Sequence, residues 1–154
     1  MRGATQSLVI VALVLALPAC QFRSVTHSPM KAAYNANQFL IALYFDEDYA
    51  KALELADEQL RQSATPNDLK TMTDKIKQEY GALKKLKADS YLMEQGNTME
   101  LFYVGEYEKG TLYHSLVLVG DTSSGYRVSG VWHRPEPYPD DPLRRKFDVE
   151  IFVH

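Results

Sequence analysis

Tyr80-Gly81-Ala82-Leu83-Lys84 is the point at which the apolar spacing of this chain changes from about 3.6 residues to about 2, the difference between a helix face and a strand face. Before it, Leu69, Met72, Ile76 and Tyr80 form one helical stripe, and Gly81 is a natural stop because glycine tolerates the backbone turn that ends a helix. Thr65-Pro66-Asn67-Asp68 opens that helix with a capping hydroxyl, a first-turn proline and an acidic residue three positions after the cap. After it, alternation predicts extended segments at 83–94, 99–108, 111–119, 126–133 and 147–153. Gly96-Asn97, Lys109-Gly110 and the glycine-bounded stretch 120–125 separate the first four as turns, which makes a meander of antiparallel strands.

Two further helices are expected upstream. Ser28-Pro29 reads as a cap followed by a first-turn proline, with Ala32, Ala36, Phe39, Leu40, Leu43 and Tyr44 on one face of a helix over 29–45. Asp46-Glu47-Asp48 interrupts it and caps a second helix over 49–61, which buries Ala52, Leu53, Ala56 and Leu60. Helices first and strands second argue for an α+β domain, three N-terminal helices packed on a curved antiparallel sheet of four or five strands, spanning 29–154.

The start of the chain carries a different message. Arg2 precedes the unbroken apolar run of residues 8–17, the layout of a secretory signal peptide. Ten helical residues span roughly 15 Å, about half of a bilayer core, so the run is too short for a permanent membrane span. Leu17-Pro18-Ala19-Cys20 resembles the lipobox of bacterial lipoproteins, which implies cleavage after residue 19 and acylation of Cys20. Cys20 is the single cysteine of the chain, so no internal disulfide forms, and acylation removes what would otherwise be an exposed thiol in an oxidising compartment. Two or more acyl chains give stable anchoring where one does not. The expected product is tethered through residues 20–28 and faces the periplasm; Gln21 after the cysteine, by the same resemblance, implies the outer membrane. Loss of residues 1–19 leaves 16 Lys plus Arg against 20 Asp plus Glu, a net charge of −4 and no basic excess for nucleic acid.

Three stretches, Phe45-Asp46-Glu47-Asp48-Tyr49-Ala50-Lys51-Ala52, Tyr80-Gly81-Ala82-Leu83-Lys84 and Val128-Ser129-Gly130-Val131-Trp132, resemble the nuclear transport factor two-like, cystatin-like cone over most of residues 29–133. The resemblance implies a fold with a cavity between helices and sheet and no particular chemistry. Residues 134–154 lie beyond the usual end of that fold.

Candidate chemistry is sparse. Ser28-Pro29-Met30-Lys31 has the Ser-x-x-Lys spacing of penicillin-interacting enzymes, but the chain lacks their other motifs and the serine sits where a cap belongs. Gly120-Asp121-Thr122-Ser123-Ser124-Gly125 has phosphate-loop glycine spacing without the Lys-Ser/Thr that must follow, so it reads as a hairpin turn. His27, His114, His133 and His154 lie on separate elements without ligand spacing; no metal, cofactor or catalytic residue is assigned. His114 shares a strand face with Leu112, Leu116 and Leu118, and with Tyr103 and Tyr126 it is a candidate for lining the cavity, against the plainer reading of a histidine near a strand end, hydrogen-bonded to a tyrosine or carboxylate. Four prolines within 134–142 stiffen a loop whose Pro135, Pro137 and Tyr138 are candidate partner contacts, or that simply delivers the last strand. That strand, with Phe147 and Ile151 on its apolar face, either completes the domain's own sheet or binds a partner. The leading expectation is a non-catalytic envelope lipoprotein binding a small ligand, a peptide or another envelope protein. The rivals are a small isomerase or hydrolase with His114 as base, and an assembly or immunity partner acting through the last strand.

Overall fold

The computed structural model describes residues 25–94 and 96–154, so the leader, Cys20 and most of the tether lie outside the described residues. Helix α1 (Pro29–Leu40) is capped by the Ser28 hydroxyl, which accepts from the Lys31 amide, and its last turn widens into a π-helical turn at Ile41–Phe45. Then come α2 (Tyr49–Glu54), α3 (Glu58–Ser63) and α4 (Pro66–Tyr80), the last opened by a reciprocal capping box between Thr65 and Asp68. Gly81 ends α4 at φ 77, where a side chain would also collide with Glu108, whose carboxylate accepts from the Ala82 amide at 3.1 Å.

Among the described residues there are four α-helices where the period predicts three. The expected helix over 49–61 is cut at Ala56, because the chain there straightens to form a parallel bridge with Val128. Asp57 N–H donates to the Val128 carbonyl at 2.9 Å, and the Asp57 carboxylate caps α3 through the Leu60 amide. The apolar period runs on through the break since Ala56 is buried either way. The break satisfies part of a sheet edge that an unbroken helix would leave bare.

Strands β1 (Leu83–Met93), β2 (Thr98–Tyr107), β3 (Gly110–Asp121), β4 (Gly125–Arg134) and β5 (Arg145–Phe152) form one antiparallel sheet in the order β4-β3-β2-β1-β5. Stretch 120–125 is the β3–β4 turn. The Asp121 carboxylate accepts from both Ser123 and Ser124, and these bonds hold its pKa far below the ordinary carboxylate range. The last strand completes the domain's own sheet, beside β1, as the first of the two readings expected.

One sheet face carries Leu86, Ala88, Leu101, Tyr103, Leu116, Leu118 and Val128 into a core shared with Phe39, Leu40 and Leu43 of the helical layer. Each such aliphatic or aromatic side chain contributes about 1.5–3 kcal/mol on removal from water. Phe102, between Leu101 and Tyr103, therefore faces the other way. The proline-rich strap, residues 135–144, crosses that outer face, laying Tyr138 against Phe102 at 5.0 Å between ring centroids.

Candidate functional site

The β2–β3 hairpin register places Tyr103 opposite His114 and Gly105 opposite Leu112. The phenol that reaches the imidazole is nevertheless that of Tyr107, two same-face positions further along the strand, with its oxygen 3.1 Å from His114 Nε2. Gly105 allows it: a Cβ there would lie 2.8 Å from the Tyr107 ring and 3.1 Å from His114 Nε2. From the helical layer, the π-helical turn delivers Tyr44, whose phenol oxygen is 3.3 Å from His114 Nδ1. Such widened turns re-aim side chains that a regular helix would direct elsewhere. His114 is fully buried between two phenols, with its other neighbour, His133, 6.4 Å away between ring centroids.

Burial, and then His133, lowers the His114 pKa from 6.5 to about 3, so the ring is neutral at physiological pH. Burial raises both Tyr44 and Tyr107 well above their ordinary value, so both phenols keep their protons. A neutral imidazole has one N–H and one bare nitrogen. One tyrosine therefore donates to the bare nitrogen, while the other accepts from the N–H and retains a phenolic proton. Among the described residues, no protein group accepts that proton.

Both phenols line a cavity of about 160 Å³ between α4 and the sheet. Leu43, Ile76 and Leu83 supply its apolar wall, and Thr73 adds a hydroxyl bonded to Tyr49 and to the Lys70 carbonyl. At its solvent side Lys77 pairs with Glu47, which holds the left-handed conformation at φ 53, a cost for a non-glycine residue that positions the carboxylate.

The other expected cavity residues go elsewhere. Tyr103 donates to Asn37 Oδ1 at 3.0 Å, and Asn37 in turn donates to the Phe152 carbonyl, tying β2, α1 and β5 together. Tyr126 accepts from the Ser28 amide at 2.8 Å and lies 3.3 Å from His27 Nδ1, fastening the start of the domain to β4. Both are buried structural ties, and neither lines the Tyr44–Tyr107 cavity. No family model matches the chain, and no curated protein or solved structure matches it.

The expected partner residues fall on the outer face and the β5 edge. Pro137 and Tyr138 border a pocket of about 250 Å³ with Phe102, Tyr113 and Arg144. Pro135 lies on the exposed start of the strap. Phe147 packs on Tyr91 at 5.0 Å and borders a groove of about 380 Å³ with Met30 and Val149, while Ile151 faces the core beside Ala88. Strand β5 is not a flat edge: Lys146 pairs with Ser90 and Ile151 with Ala88, so residues 147–150 bulge outward. Bulges and alternating charges are how an edge avoids unwanted strand pairing.

Tyr44, Gly105, Thr73 and the Glu47–Lys77 pair are the site residues that sequence reading misses. A signal existed for one of them: Gly105 interrupts an otherwise continuous strand pattern, which marks a close approach by another group.

Proposed function

We propose that this chain is a lipid-anchored envelope protein, held to a membrane by acyl chains on Cys20, whose domain binds a small uncharged molecule in the Tyr44–Tyr107 cavity. The observation that carries the binding role is the spare phenolic proton of the Tyr44–His114–Tyr107 network, at the wall of a space whose apolar side is Leu43, Ile76 and Leu83. A buried donor without an acceptor costs free energy, and a ligand bringing one carbonyl or ether oxygen recovers it. An apolar cavity of about 150 Å³ accommodates benzene, so the fitting molecule is a small ring or short chain with one acceptor. A charged ligand is disfavoured by the same burial that keeps His114 neutral. The resemblance to cone domains supports this reading, since their cavities also lie between helices and sheet.

Cyclohexanone and cyclohexane separate acceptor recognition from simple filling. The ketone is expected to perturb the Tyr44 and Tyr107 ring resonances and raise the melting temperature more than the hydrocarbon does, and Tyr44→Phe with Tyr107→Phe to equalise the two. Equal effects of both molecules on the native protein would refute acceptor recognition. Anchoring is tested separately: Cys20→Ala should abolish incorporation of radiolabelled fatty acid, and label remaining on the variant would refute it.

A further inference from the structure

The pocket beneath the strap has a different chemistry from the interior cavity. Its floor is Phe102, on which the Arg144 guanidinium stacks at 4.9 Å and Tyr138 at 5.0 Å. The Arg144 side chain is only 14% exposed, yet its direct partners are weak: the Tyr138 carbonyl at 3.4 Å and the carboxylate of Asp140 at 3.5 Å, itself fully exposed, while Asp89 and Glu100 feel its charge without a direct bond. A charge-assisted bond is ordinarily about 2.7–2.9 Å, and a guanidinium presents a planar fork suited to two such bonds at once. The neighbouring charges are more firmly engaged. Lys146 holds Asp89 at 2.5 Å and 2.7 Å, and Ser115 bonds the half-buried Glu100, whose carboxyl burial pushes upward. Arg144 is thus desolvated, oriented by an aromatic platform and loosely held, at the wall of a space of about 250 Å³.

We propose that this pocket binds a carboxylate carried on a flat apolar body, with Arg144 forking onto the carboxylate and Phe102, Tyr113 and Tyr138 enclosing the body. Asp140, four residues before Arg144, acts as an internal competitor that the ligand displaces. The carboxylate of a free aromatic acid and the C-terminal carboxylate of a polypeptide ending in an aromatic residue share this chemistry.

The test is calorimetric titration of the full-length chain in detergent with benzoate and N-acetyl-phenylalanine, each against its uncharged amide. Both acids should bind more tightly than their amides. Asp140→Asn should tighten acid binding by about two- to fivefold, the size of one exposed ion pair removed as competitor. Arg144→Gln should weaken it by about tenfold or more. Because Arg144→Gln also removes a packing contact, Asp140→Asn is the decisive variant; its carboxylate is fully exposed, and its contact with Arg144 is the one the ligand displaces. Equal binding of acids and amides, or unchanged acid affinity in Asp140→Asn, overturns the proposal. Tighter binding of N-acetyl-phenylalanine than of benzoate supports it with a polypeptide terminus as the source, and the reverse order supports it with a free aromatic acid.

Discussion

The two faces of the sheet handle polar groups in opposite ways. On the helix face, Tyr103, Tyr107 and His114 are buried and Tyr44 is partly buried; all are uncharged, and each finds a neutral hydrogen-bond partner. On the outer face, Arg144, Lys146 and Asp89 sit in ion pairs with at least one exposed member, and the half-buried Glu100 bonds Ser115. Burial decides between the two arrangements. Where the helices exclude water, a charge costs more than its partner returns, and proton count governs who bonds to whom. Where only a strap covers the sheet, charges persist and cation–ring stacking supplements weak ion pairs. The inner face is therefore suited to uncharged ligands and the outer face to charged ones.

The sharpest separation is expected from packing. Leu116→Ala, on the inner face and fully buried, should cost about 2–5 kcal/mol in urea unfolding. Trp132→Ala, on the outer face and 53% exposed, should cost less than half as much despite removing a larger side chain. Equal costs would erase the distinction between the faces.

Acid should expose the next difference. The unfolded chain protonates His114 as pH falls below 6.5, whereas the folded protein does so only at about pH 3. The stability contributed by the neutral ring is therefore complete above pH 6.5. Below it, stability declines by up to about 1.4 kcal/mol per pH unit until the folded pKa is reached. His114→Gln should flatten the slope between pH 6.5 and 5, above the main carboxylate range, even if it lowers stability overall; an unchanged slope would place the titration elsewhere.

Gly105→Ala is expected to cost about 1–3 kcal/mol, because its methyl group would enter the space that Tyr107 crosses to reach His114. A change of under half that, with the Tyr107 resonances unmoved, would show that the network has slack. Smallest is the outer pair: Lys146→Ala should cost less than about 1 kcal/mol, and the difference should fade in high salt, since Lys146 is largely exposed.

The strands were legible because their signals are local. Alternation and glycine turns place all five within three residues of their observed ends, as with the segment expected at 111–119 and found at Gly110–Asp121. The break at Ala56 was not, because it answers to Val128, 72 positions away, and a helical period cannot register a distant strand edge. The same limit applies to the site. Strand alternation puts His114 on the buried face, and the structure bonds it to tyrosines, though well inside β3 and not near the strand end that the plainer reading assumes. Alternation cannot say that Tyr103 turns to Asn37 while Tyr107 crosses Gly105, nor that a π-helical turn lowers Tyr44 onto the ring. The strap is legible as a stiff connector from its prolines, but its path over Phe102 follows from β5 pairing at the far edge of the sheet.

In the proposed site His114 stays neutral between two protonated phenols and leaves one phenolic proton for a ligand. Nitrogen-15 NMR of the histidine side chains from pH 7.5 to 4 reads this directly. One protonated and one bare nitrogen are expected on His114 throughout that range. Protonation of both His114 nitrogens near pH 6 would contradict it.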